Sequence, residues 1–210
     1  MVETEFFGFL DDDDEYLPGA VPLRLAALVN DASLDAVITN GYRQENGQDV
    51  VQFAAFSAIQ SDPLGCLMDH AWLHSGGVLF RAARVSSDYF HVPRMMELTY
   101  MALMLVLTRR LRFLDVPTYR FYSGTAESLS DTRADHRDAP EAIRQMIALR
   151  LPAHIRRRLA RKYAASLHAL SDLERQDGNL WAAWRYHLKS LRLRDGIRYL
   201  CYTRHLMRFR

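Results

Sequence analysis

Apolar positions along this chain follow two rhythms. Through the first two thirds they fall in short continuous or alternating runs. Through the last third they recur every three or four residues. Phe6-Phe7-Gly8-Phe9-Leu10 is a continuous apolar run that stops at Asp11-Asp12-Asp13-Asp14-Glu15. A run without alternation predicts a strand covered on both faces. Carboxylates at the C-terminal end of such a strand sit where open α/β sheets bind ligands. Pro18 opens a helix whose Val21, Leu25 and Leu28 share one face. Residues 34–42 and 50–56 predict two strands, with Asn46-Gly47 between them as a hairpin-type turn. Residues 62–65 predict a loop and 77–81 a short strand. A helix follows over 93–108, with Met96, Tyr100, Leu103 and Leu107 on one stripe. Residues 111–121 return as a strand, in which Pro117 marks an edge or a break. The polar stretch 123–138 predicts a loop.

The tail is helical, over 140–149, 152–176 and 180–193, with Asp177-Gly178 turning the last two against each other. Ala164, Leu167, Ala169 and Leu170 would face Trp181, Ala182, Trp184 and Leu188. The two tryptophans, three apart, are expected to be buried. This hairpin resembles a single tetratricopeptide-like unit, which cannot support itself and needs a surface to pack on.

A length of 210 residues predicts one domain, or one with an appendage. Hydrophobic residues at 49% and charged residues at 25% exclude wholesale disorder. Two cysteines, Cys66 and Cys201, form no CxxC pair, and a reduced cytoplasmic setting is the default. No stretch of about eighteen apolar residues is available to span a bilayer. Glu3 and Glu5 argue against a signal peptide. The net charge of +2 conceals a split: residues 151–210 carry 14 basic and 4 acidic side chains, while the other 150 carry 13 and 21. An acidic body with a basic tail predicts two functional layers.

Four adjacent carboxylates repel one another, so a run at a strand end needs a compensating cation. A hard divalent ion held by one or two carboxylates and phosphate oxygens would meet that need and neutralise a departing diphosphate. The segment from Phe9 to Pro18, FLDDDDEYLP, resembles the metal-binding segment of family 2 glycosyltransferases with the GT-A fold. Further along, Gly76-Gly77-Val78-Leu79-Phe80-Arg81 resembles that family's small-residue strand ending in arginine. Phe113-Leu114-Asp115-Val116-Pro117-Thr118-Tyr119-Arg120 and Ser128-Leu129-Ser130 resemble two later segments. The resemblance covers residues 5–135.

The resemblance implies that Asp11 and Asp13 form the D-x-D element and hold Mg²⁺ or Mn²⁺ against a nucleotide-sugar diphosphate. Asp12 and Asp14 are then secondary contacts to ribose or sugar hydroxyls. Met96-Glu97-Leu98 stands where the family has its Glu-Asp-Trp segment. In that register Glu97 is the base for an inverting transfer to a hydroxyl acceptor. In a register one residue later, Leu98 takes that position and the base is missing. The plain alternative is a helix-start glutamate favoured by the dipole.

His70, His74 and His91 show no ligand spacing and carry no role beyond acceptor contact. Trp72 is either core or a sugar-stacking platform. The basic tail points to peripheral contact with an anionic membrane face carrying a glycan or lipid-linked acceptor. No nucleic-acid motif accompanies it. The expected fold is therefore α/β: a partial GT-A-like, Rossmann-like mixed sheet with flanking helices over residues 1–138, then a helical hairpin over 139–210. The family places nucleotide-binding strands before its D-x-D element, and this sequence starts ten residues before Asp11. That leaves several readings open: a piece of a longer enzyme, an enzyme completed by another subunit or by homo-oligomerisation, or a non-catalytic remnant serving as an interaction scaffold.

Overall fold

The computed structural model describes residues 3–122 and 133–208. They fall into two compact units, one of residues 3–92 with 97–122, the other of 93–96 with 133–208.

The first unit is a mixed sheet with helices. Its elements are β1 (Phe6–Phe7), β2 (Glu15–Tyr16), α1 (Ala20–Asn30), β3 (Ala36–Glu45), β4 (Gln48–Val51), α2 (Phe56–Ser61), α3 (Pro63–Leu67), β5 (Val78–Arg81), α4 (Glu97–Thr108) and β6 (Leu111–Tyr122). The strand order is β1-β5-β3-β6-β2, with β4 also paired to β3. β3 and β6 run parallel, and every other pairing is antiparallel. β3 is the central strand, because six consecutive residues from Ala36 to Gly41 are buried. This is the continuous burial that a strand covered on both faces requires.

The aromatic run near the N-terminus has a different role from the one its pattern predicts. Only Phe6 and Phe7 are in strand, paired to β5 alone, and Phe9 and Leu10 are exposed. The phenylalanines pack ring against ring instead. Phe7 stacks on Phe80 at 5.1 Å, and Phe9 meets Phe90 edge-on at 5.3 Å. A run of aromatics can thus be apolar throughout without two sheet neighbours.

Asn46 and Gly47 have φ of 51° and 79°, the two positive values a tight hairpin turn needs. The strand expected over 50–56 stops at Val51, and Phe56 begins α2. Residues 63–67 are helical rather than loop, because the Asp62 carboxylate accepts from the Gly65 N–H at 2.8 Å. Pro117 lies at a register break: Thr39 pairs Leu114 and Asn40 pairs Pro117. The extra residues bulge out, and Asp115 takes a hydrogen bond from the buried Asn40 amide at 2.9 Å. Helix α4 starts at Glu97, not at 93, because Met96 has φ 61°.

The buried stripe of α1 is Ala20, Arg24 and Leu28, while Val21 is exposed. Leu28 meets Leu34, Val37 and Leu79 in the core, with Leu25 beside them. Trp72 is core: it is 1% exposed and donates its indole N–H to the Pro63 carbonyl at 2.7 Å.

The second unit is helical: α5 (Arg133–Ala148), α6 (Ala153–Gln176), α7 (Leu180–Leu191), a 3₁₀ segment (Gly196–Tyr202) and α8 (Thr203–Arg208). The polar stretch read as a loop over 123–138 is helical from Arg133, and α5 continues through Pro140. Residues 123–132, including the Ser128-Leu129-Ser130 match, lie outside the described residues. Gly178 takes φ 81° and Asn179 caps α7, so the turn falls where the sequence puts it. Ser171 donates to the Ala183 carbonyl at 2.7 Å and Ser190 to the Ala164 carbonyl at 3.0 Å, an antiparallel register.

The face that α7 presents to α6 differs from the expected one. Ala183, His187 and Ser190 are inside, while Trp181 is 74% and Leu188 45% exposed. The serine-to-carbonyl bonds draw the two backbones together at Ala183 and Ser190, and the buried His187 meets the Thr203 hydroxyl at 2.8 Å. Trp181 and Leu188 take the opposite face.

Candidate active site

The acidic run forms the loop between β1 and β2. The Asp14 N–H bonds the Asp11 carbonyl at 3.1 Å, closing a turn. The turn sends the carboxylates in different directions. Those of Asp11, Asp12 and Asp13 belong to exposed residues, whereas the Asp14 side chain is 1% exposed. Separating like charges in this way lowers their repulsion.

Asp14 points into the protein. Its Oδ1 accepts from the Tyr122 N–H at 3.4 Å, and its Oδ2 lies 3.7 Å from His74 Nε2. Burial raises its pKa to about 6; the Tyr122 N–H opposes the rise, and the charges of Asp11 and Asp13 add to it. Burial also pulls the His74 pKa down, against the charges of Asp11 and Asp13. The Asp14 side chain is thus buried, unlike its three exposed neighbours in the run.

Behind Asp14, the His74 ring stacks on Tyr119 at 4.6 Å and 9°. Tyr119 is fully buried and donates to Gln52 Oε1 at 2.5 Å. Its ring occupies a slot that glycines keep open. A Cβ on Gly41 or Gly77 would come within 2.3 or 2.8 Å of the ring carbons. The slot depends on the register of β6 beyond the Pro117 bulge. Burial also raises the Tyr119 hydroxyl pKa, keeping it a neutral donor.

Arg24 fixes the other side of the loop. It is 1% exposed and donates to the carbonyls of Ala20 at 3.1 Å, Gly76 at 2.9 Å and Val78 at 3.2 Å. Its guanidinium also lies 4.8 Å over the Tyr16 ring, and Tyr16 donates to the Phe9 carbonyl at 2.8 Å. Next in the chain to His74 and Gly76, Ser75 donates to Asp11 Oδ2 at 2.7 Å. The loop is thus held at Asp11 by Ser75, at Asp14 by the Tyr122 amide, and at Tyr16 by Arg24.

Asp11 opens onto a cavity of about 260 Å³ lined also by Phe9, Ser75, Phe90, Val92, Glu97, Leu98 and Met101. The structure therefore brings Asp11 and Glu97 together, although 85 residues separate them in sequence. Glu97 is exposed at the first turn of α4. Asp12 and Asp13 stay on the exposed part of the loop. Among the described residues, no three or more His, Cys, Asp or Glu side chains converge into a metal cage. Sequence reasoning did not find Arg24, Gln52, Ser75 or Tyr119, and it gave His74 no role in the loop. The available signals were the i, i+4 spacing of Ala20, Arg24 and Leu28, and three small glycine positions awaiting one large ring.

The curled mixed sheet, its flanking helices and the helical C-terminal part resemble a glycosyltransferase fold. The resemblance is to the crystal structure of S. aureus TarS 1-349 in complex with UDP-GlcNAc, at a TM-score of 0.58 and 18% identity. It covers 89% of this chain and 58% of that one, so the chain spans less than two thirds of the matched structure. No family model and no curated protein matches the sequence.

Proposed function

We propose that the chain transfers a sugar, with inversion, from a nucleotide-sugar donor to a hydroxyl on a glycan or lipid-linked acceptor, in cytoplasmic synthesis of a surface polysaccharide. The observation that carries this reading is the shared cavity of Asp11 and Glu97, in a fold resembling that of a protein solved with UDP-GlcNAc.

Asp11 and Asp13 would hold Mg²⁺ or Mn²⁺. A hard cation of this kind takes one or two carboxylates and completes its shell with phosphate oxygens and water. Two exposed carboxylates without a protein cage fit that demand. When bound, the ion supplies charge neutralisation for the leaving diphosphate. Ser75 aims Asp11 through its hydrogen bond. Asp12, exposed on the same loop, is available to a donor hydroxyl. Glu97 accepts the proton of the acceptor hydroxyl as that oxygen attacks from the face opposite the diphosphate.

The test measures nucleoside diphosphate release from UDP-GlcNAc with Mn²⁺, comparing wild type with Glu97→Gln. Turnover is expected to fall by at least about a hundredfold, with donor affinity unchanged. Equal turnover in the two proteins would remove Glu97 from the chemistry.

A further inference from the structure

The outer face of α7 is unlike a solvated helix surface. Trp181, Trp184 and Leu188 line a groove there of about 330 Å³, together with Arg185, Lys189 and Arg192. These six positions fall within one half of the helical wheel, opposite the Ala183, His187 and Ser190 that pack inward. A tryptophan 74% exposed is costly in water unless something covers it. Residues 180–192 contain three cations and no Asp or Glu, so whatever covers the face meets positive charge along the whole helix. The Arg185 guanidinium lies 5.6 Å over the Trp181 ring, so apolar and charged groups are interleaved rather than segregated.

We propose that this face of α7 is a docking surface for an anionic phospholipid bilayer, seated at the headgroup level. Three features select that occupant. Tryptophan has an amphipathic ring that suits the interface between headgroups and acyl chains. Arginine and lysine stems can lie along apolar surface while their heads reach phosphates. A helix of 12 residues is too short to span but long enough to lie in the interface plane. An acidic protein partner could also meet tryptophans and cations, but it would not make the pure chain sediment with vesicles, so the test separates the two occupants. This inference stands apart from the proposed chemistry, and neither needs the other.

The three tryptophans make the test specific. Trp72 is core and insensitive to docking, so a change in tryptophan emission reports on Trp181 and Trp184. The full chain is mixed at low salt with vesicles of phosphatidylcholine containing phosphatidylglycerol, and with vesicles of phosphatidylcholine alone. Co-sedimentation and emission are then read together. The expected result is sedimentation with the anionic vesicles only, accompanied by a blue shift. Replacing Arg185, Lys189 and Arg192 by Gln should weaken partitioning about fivefold per cation, roughly a hundredfold together. Trp181→Ser should weaken it and reduce the shift. All four positions are on the solvent side, and circular dichroism checks that the variants fold. Equal sedimentation with neutral and anionic vesicles overturns the proposal. So does binding without an emission shift, or a shift that follows protein concentration in the absence of lipid.

Discussion

Asp14→Asn removes a charge from inside the first unit while keeping its shape. The Tyr122 N–H can still donate to the remaining oxygen, and the amide fills the space beside His74. In the folded chain the Asp14 pKa is raised from 3.8 to about 6. An acid whose pKa rises on folding stabilises the fold only while protonated, so its contribution is lost as pH climbs from about 4 through 6. Linkage gives wild type a cost of roughly 1.5 kcal/mol at pH 5 and roughly 3 kcal/mol at pH 8. His74 titrates in the opposite sense. Its lowered pKa favours folding above the ordinary histidine value and opposes it as pH falls. Because Asp14 Oδ2 lies 3.7 Å from His74 Nε2, the two groups are coupled, and repeating the comparison in a His74→Gln background separates them. Urea unfolding followed by Trp72 emission, with Trp181 and Trp184 changed to Phe, reads the first unit by itself. Asp14→Asn should be more stable than wild type by an amount that grows between pH 5 and 8. A difference that stays flat with pH, or a variant less stable at pH 8, would show that burial does not hold the carboxylate above its ordinary pKa.

Gly41→Ala should cost more than about 2 kcal/mol, because its methyl would meet the Tyr119 ring at 2.3 Å and the ring has nowhere to go; urea midpoints decide it. Arg24→Lys should cost about 2–4 kcal/mol, since one ammonium cannot reproduce a fork serving three carbonyls; a change below about 0.5 kcal/mol would mean the fork is dispensable. Trp181→Ala should leave stability within about 0.5 kcal/mol, whereas Ala183→Leu should lower it by about 1–3 kcal/mol. The reverse ranking would return the tryptophans to the helix interface.

The strongest local patterns were legible in sequence. The Asn46-Gly47 turn, the Gly178 helix end, the break at Pro117 and the helical tail follow from backbone chemistry, which acts within a few residues. What was not legible depends on distant partners. Arg24 reads as a surface residue until the Gly76 and Val78 carbonyls arrive from more than fifty positions away. Tyr119 reads as an ordinary strand residue until three glycines from two other segments make its slot. On α7, bulk alone is no sign of burial, so the pattern of large apolar residues points to the wrong face. Where the serine-to-carbonyl bonds draw α6 and α7 together, Ala183 and Ser190 face inward while Trp181 and Leu188 go outward. At the site, the acidic run was conspicuous, but the inward turn of Asp14 depends on Tyr122, 108 residues later.

On the proposed reading, the acidic loop receives a nucleotide-sugar diphosphate through a divalent ion. Calorimetric titration of UDP-GlcNAc, with and without Mn²⁺, into wild type and Asp13→Ala tests it most directly. Binding heat is expected for wild type with Mn²⁺ present, and its loss when either the ion or the Asp13 carboxylate is removed. Equal binding by the two proteins, or binding indifferent to Mn²⁺, would contradict it.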